Sequence, residues 1–356
     1  MPAAFFPAKK HGSPVLAVAA SISLLLAACA GSPKAGKVPL WVTDPAAAFP
    51  DSEWLCVVEQ DVDARTAERT AVTKLAQIFR VDLYSVTTVN EQFAQAVTST
   101  RWRKVSVSTD TLEFAQELVS TSAISGLVGL RVESWTERTG RAFANARMNR
   151  KECSARYSAM IRENEKTIAQ LQEEAKQNPE TFEAYQLINL AHNFALVTDN
   201  LHSLLTVIDP SAISRRPAYG NADAVKGQLQ TVARTVAVAV RVSGDTGGRI
   251  ATALAECFNS RGFRTNAGGT NLYTLVASFR MEDVDMGNSR NKFVRYLLDC
   301  SLKNRDGVEI LSFSESGREG HLTESEAQQR AIRAAEQSIG TAGFAAKFET
   351  FLASLL

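Results

Sequence analysis

Residues 151–208 read KECSARYSAMIRENEKTIAQLQEEAKQNPETFEAYQLINLAHNFALVTDNLHSLLTVI, and the order of apolar residues in this stretch sets the architecture of the chain. Tyr157, Ile161, Asn164, Ile168, Leu171 and Ala175 recur in alternating steps of four and three, which places them on one face of a helix. After Asn178 and Pro179 the pattern resumes with Leu187, Leu190, Phe194, Val197, Leu201, Leu204 and Ile208. Asn178 reads as the cap of this second helix and Pro179 as its first residue, where a missing amide hydrogen costs nothing. Two long helices joined by a tight turn predict an antiparallel hairpin over residues 151–209. Asn164 interrupts the apolar seam. It reads first as a polar residue tolerated near solvent, and second as a device that fixes register or oligomeric state. Leu196 and Leu205 lie off the main stripe, so the second helix is expected to pack on more than one neighbour within the fold.

On the N-terminal side, Trp54 to Val58 reads as a buried strand. Asp61 or Asp63 then caps a helix carrying Ala64, Ala67, Ala71, Leu75 and Ile78 on one stripe. Small residues there let a helix lie close on a sheet. Further strands are predicted at Val81–Phe93, Lys104–Ser108, Leu127–Trp135 and Arg141–Met148, with a short helix at Thr111–Val119. Thr139 and Gly140 supply the turn between the last two strands. Residues 38–150 are thus expected to form an α+β domain with a mostly antiparallel sheet.

On the C-terminal side, residues 210–234 read as a linker and a short helix, Asp223–Arg234, leading to the alternating strand Val236, Val238, Val240 and Val242. A turn at Gly244–Gly248 feeds the helix Arg249–Arg261. Strands follow at Leu272–Met281, Phe293–Lys303 and Val308–Ser314, the last pair joined by Asp306-Gly307. Thr323 and Glu326 form a capping box ahead of a helix with Ala327, Ala331, Ala334 and Ile339. A final helix covers Phe344–Leu355. Residues 235–356 therefore read as a second α+β domain. The fold class is α+β: two small domains of antiparallel sheet plus helix, joined by the helical hairpin.

The start of the chain carries the strongest functional signal. Lys9, Lys10 and His11 precede an apolar segment from Pro14 to Ala28, and Leu26-Ala27-Ala28 leads into Cys29. Basic start, apolar middle and small residues at the cut define a secretory signal peptide over residues 1–28. Its apolar part falls short of the roughly 20 residues needed to span a bilayer. Removing it leaves 328 of the 356 residues, and with them goes the charge of two lysines, so a net charge of +1 becomes about −1. So balanced a chain lacks the basic footprint of nucleic-acid binding. Residues 29–37, small, polar and broken by Pro and Gly, read as a flexible tether.

Four more cysteines follow, Cys56, Cys153, Cys257 and Cys300, none of them in a C-x-x-C pair or at metal-ligand spacing from a histidine. Cys257 and Cys300 fall on the apolar faces of a predicted helix and strand of one core. A 257–300 disulfide is open to them, and free buried thiols are the leading reading. His192 and His202 project from different faces of one helix, and His321 stands alone. The turn 244–248 lacks the spacing and the lysine of a phosphate loop and reads as a plain turn. No nucleophile elbow and no paired carboxylates stand out. No catalytic residue, cofactor or metal ligand is assigned, and the chain is read as non-enzymatic.

Leu-Ala-Ala-Cys resembles the lipobox of bacterial lipoproteins, a resemblance that implies a diacylglyceryl group on the Cys29 thiol. Pro39-Leu40-Trp41-Val42, the strand Leu55–Val58, the helix with Ala67, Ala71, Leu75-Ala76 and Ile78, and Trp135 with Thr139-Gly140, Phe143 and Met148 resemble the Lpp-twenty-like bacterial lipoprotein family. The likeness extends more loosely to flagellar envelope proteins of the FlgP and FlgT type. Val58-Glu59-Gln60-Asp61 departs from the glycine frequent in that strand of the family. The resemblance implies a non-catalytic protein held at the outer membrane by its lipid, facing the periplasm, with envelope proteins or further copies of itself as partners. Alternatives are a pore-type subunit resembling the curli exporter and, lower, an envelope hydrolase.

Overall fold

The computed structural model describes residues 37–79, 127–214, 217–266, 272–287, 289–340 and 343–356. The signal peptide, Cys29, the strands expected at Val81–Phe93 and Lys104–Ser108 and the helix expected at Thr111–Val119 lie outside the described residues.

Two short helices, α1 (Leu40–Thr43) and α2 (Pro45–Ala48), precede β1 (Trp54–Asp61) and α3 (Ala64–Ile78). With β2 (Arg131–Thr136) and β3 (Ala142–Asn149), β1 forms a three-stranded antiparallel sheet in the order β1-β3-β2. Asp63, not Asp61, caps α3: its carboxylate accepts the Thr66 amide at 2.9 Å and the Thr66 hydroxyl at 2.7 Å. Ala67, Ala71 and Leu75 are buried, and β3 buries Ala142, Ala144, Ala146 and Met148 at the alternate positions of one face. Ile78 leaves the expected stripe and is 42% exposed, because the helix ends there and Phe79 turns inward instead. The β2–β3 turn closes through Glu137 N to Arg141 O at 2.8 Å, with Gly140 at φ +94°.

The chain continues into α4 (Arg150–Ala175) and α5 (Phe182–Ile208), which pack along each other. Every residue of the predicted seam is buried, Asn164 included. That overturns the reading of Asn164 as a near-solvent residue: it is 0% exposed, and neither its Oδ1 nor its Nδ2 has a hydrogen-bond partner. The cap of α5 is also corrected. Residues 178–181 form a turn, and Thr181, in extended backbone, accepts the Ala184 amide at 3.1 Å, so the helix starts three residues after Pro179. Fifteen residues of α5 are buried, Leu205 among them, and Leu196 packs on the same core. Only all-round packing within the fold buries so many residues of one helix.

A 3₁₀ turn (Pro210–Ser214) and α6 (Ala222–Thr235) lead to β4 (Ala237–Ser243), α7 (Arg249–Asn259), β5 (Arg264–Asn266), β6 (Tyr273–Val284), β7 (Lys292–Lys303) and β8 (Glu309–His321). Two helices close the chain, α8 (Glu324–Ile339) and α9 (Phe344–Ala353). The second sheet has the order β5-β4-β6-β7-β8 and is mixed, not antiparallel throughout: β4 runs parallel to both β5 and β6. The cause is α7, a crossover that carries the chain back to the starting end of the sheet before β5 begins. β8 runs seven residues beyond the expected Ser314. There Gly317 faces the Tyr296 ring and Gly320 the Phe293 ring, and a Cβ would lie 2.5 Å from the first ring and 2.6 Å from the second. The glycines are therefore places where aromatic rings lie on backbone, not strand breakers.

The buried apolar residues fall into two clusters. One joins α3, the first sheet, α4, α5 and α6. The other joins the second sheet with α7, α8 and α9, and Phe182 at the start of α5 belongs to it, stacked on Tyr273 at 4.0 Å. Among the described residues no helix is long and apolar enough to cross a membrane.

Candidate contact surface

The four described cysteines are free thiols, and Cys29 lies outside the described residues. Cys257 and Cys300 share the second core, as their sequence positions imply. Cys257 Sγ donates to Ile339 O at 3.5 Å. Burial pushes the Cys300 thiol up to about 12, with Asp299 and Cys257 adding to the rise. Burial also raises Cys56 to about 11 against the opposing pull of Arg147, its cross-strand neighbour. None is an activated thiolate.

The turn at 244–248 fills its own anion position: Asp245 Oδ2 accepts the Ala251 amide at 2.9 Å at the start of α7. Gly244, at φ +78°, is required because a Cβ there would fall 2.0 Å from Phe279 O. The histidines stay apart. His192 Nδ1 lies 3.1 Å from Ala222 O, and burial lowers its pKa. His202 Nε2 lies 3.8 Å from Glu165 Oε1, and His321 Nδ1 accepts the Thr323 amide at 3.5 Å. Among the described residues no group of three histidine, cysteine or acidic side chains is placed to hold a metal.

The surface that stands out was not singled out by residue type. In β6, β7 and β8 one face is apolar and covered: Leu275, Leu302 and Leu311 share a row, as do Ala277, Cys300 and Phe313, and α8 packs on β7 and β8. The opposite face carries Val276–Ser301–Ser312, Ser278–Asp299–Ser314, Arg280–Leu297–Ser316 and Glu282–Arg295–Arg318 in successive rows. Val276, Arg280, Arg295, Ser312, Ser314, Ser316 and Arg318 are exposed. Asp299 organises the middle of this face, accepting the Ser314 hydroxyl at 2.5 Å and an Arg280 guanidinium hydrogen at 3.4 Å. Ser301 donates to Glu309 at 2.5 Å. Among the described residues β8 forms the sheet edge over 13 residues, pairing on one side with β7. A strand edge with unpaired backbone groups is a template for a further strand. The signal for this face was present as serine at every second position, Ser312, Ser314 and Ser316.

No family model matches the chain, and no curated protein sequence does. Partial overlaps with solved structures exist. A minor lipoprotein from Acinetobacter baumannii overlaps with a TM-score of 0.24 at 14% identity, covering 29% of this chain and 86% of that one. A protein assigned as a lipoprotein from Caulobacter crescentus CB15 gives a TM-score of 0.23 at 16% identity, over 33% of this chain and 87% of the other. A secreted protein of the human pathogen Helicobacter pylori gives 0.36 at 11% identity, over 81% of this chain and 98% of its own. At such scores these overlaps support no functional assignment.

Proposed function

We propose that the chain is a lipid-anchored protein of a bacterial envelope that works through contacts with other proteins and without catalysis. The observation that carries this reading is Leu26-Ala27-Ala28-Cys29 behind a basic and then apolar segment. Its setting is the outer membrane, since Ala30 follows the cysteine where an aspartate marks inner-membrane retention in many lipoproteins. The serine-rich face and the edge of β8, which no helix or strand covers among the described residues, are the surfaces offered to a partner, another envelope protein or a further copy of the chain. The pore-type alternative draws on strands of 12 or 13 residues, long enough to span a bilayer. Their apolar face, however, is already covered by α8, which favours a water-exposed sheet.

Crosslinking in intact cells followed by pull-down tests the reading. The same crosslinked envelope proteins, or multimers of the chain, should be recovered repeatedly. Ser312→Arg with Ser316→Arg, both exposed on the edge strand, should reduce that recovery while leaving the fold intact. Recovery of monomer alone from crosslinked envelopes would contradict it.

A further inference from the structure

The end of the second sheet at the β6–β7 turn combines features that the serine-rich end lacks. In the outer row nearest the turn Val284, Phe293 and Gly320 are register neighbours, and in the next row Glu282, Arg295 and Arg318. The Phe293 ring lies against Gly320, and the Arg318 guanidinium sits 5.5 Å from the centre of that ring. An Arg318 nitrogen also reaches Met286 Sδ at 3.4 Å, and Met286 is 45% exposed in the turn. Apolar side chains and arginines thus meet at one point of the surface.

The charge there is only partly offset by local acids. Arg295 and Arg318 stand directly opposite each other, an arrangement that destabilises a strand pair unless something else offsets it. Among the described residues no ion pair joins Arg295 to an acid, although Glu282 shares its row. Arg280, one row further from the turn, is ion-paired with Asp299 at 3.4 Å. The turn and the strand ends flanking it add Arg290 and Lys292 against Asp283 and Asp285, and Asp285 accepts the Gly287 amide at 2.9 Å. Glu319 lies in the row of Val294 on the helix-covered side.

We propose that this end of the sheet is a contact site for an anionic phospholipid surface. Arg295 and Arg318 pair with headgroup phosphates while Met286, with half-buried Val284 and Phe293 beside it, enters the boundary with the acyl chains. Arginines alone would suit any anion. An exposed Met286 and half-buried Val284 and Phe293 among them suit a target that is charged outside and apolar within. For its setting the proposal rests on the anchored reading above: a lipid on a flexible tether holds a body near a bilayer without orienting it, and a second contact supplies the orientation.

The mature chain carrying Cys29→Ser, which lacks the lipobox thiol, separates the two. Sedimented with vesicles, it should bind phosphatidylcholine mixed with phosphatidylglycerol and leave pure phosphatidylcholine in solution. Each arginine at such a surface contributes roughly fivefold in affinity, so Arg295→Ser with Arg318→Ser should weaken binding roughly 25-fold. Met286→Ser, at an exposed position, should weaken it with all charges in place. Equal binding to both vesicle types, absence of binding, or an undiminished affinity in the arginine double variant would overturn the contact site. Palmitate labelling of the full chain reports separately on the anchor: a chain that takes no label yet binds the anionic vesicles would overturn the anchored reading and leave the contact site standing.

Discussion

In the first core, Ala144 and Ala146 of β3 share buried space with Ala67 and Ala71 of α3. In the second, Phe279 and Phe313 of the sheet share it with Phe258, Phe344 and Phe348 of the helices. Small residues bring backbones close and leave no room for growth. Ring clusters hold elements apart and depend on every ring. Phe348 makes edge contacts with Phe258 at 4.9 Å, Phe182 at 5.4 Å and Phe263 at 6.1 Å, so several elements meet at one side chain. The cores differ in polarity as well. All five buried polar side chains among the described residues, Asn145, Asn164, Thr167, Gln186 and Thr198, belong to β3, α4 and α5, and none to the second core. Thr167 and Thr198 satisfy their hydroxyls on the preceding helical turn, at Glu163 O and Phe194 O; Asn164 satisfies neither of its polar atoms.

The contrast predicts where each core breaks. Truncation should damage the second most: Phe348→Ala is expected to cost about 3–5 kcal/mol, read as a fall in the denaturation midpoint. The same measurement on Ala144→Leu, an enlargement of the first core, should show a loss of about 1–3 kcal/mol. Asn164→Leu should go the other way. Removing an unpaired buried amide from an apolar seam is expected to stabilise by about 1–2 kcal/mol. Loss of stability there would mean that the amide serves the fold, and a changed mass in light scattering would restore the register or oligomer reading.

The smallest effect is a pH dependence. Burial lowers the pKa of His192 below its unfolded value, so the unfolded chain binds the proton first. Stability should therefore fall as pH drops below about 6.5, levelling off once the folded form also protonates. His192→Gln should flatten that part of a stability-against-pH curve, and an unchanged slope would remove His192 as its source.

The same contrast explains how much of the molecule was legible in its sequence. The seam residues of α4 and α5 could be named one by one because helical periodicity depends on local spacing alone. The cap at Thr323 and the turn at Gly140 were equally local, and the cap of α3 was narrowed to Asp61 or Asp63. β5 was missed because three residues carry no periodic signal, and with it the parallel pairing of β4. The extension of β8 was missed because Gly317 and Gly320 punctuate a sequence, and only the rings of Tyr296 and Phe293 across the strand show why glycine belongs there. Asn164 could be placed on its face by spacing, but its depth depends on what α5 brings against it. The serine-rich face was the least legible: serine alternation is weak until the register sets three strands side by side. Cys29 is the reverse case, carried by sequence alone.

The central claim is that a thioether-linked lipid at Cys29 holds this body at a membrane, where it works by contact. Metabolic labelling with palmitate, followed by membrane fractionation of the native chain and of Cys29→Ser, tests it most directly. The account predicts label and a membrane-bound pool in the native chain and the loss of label in the variant, with any residual membrane binding depending on anionic lipid. Unlabelled native protein, or label that persists without the cysteine, would contradict it.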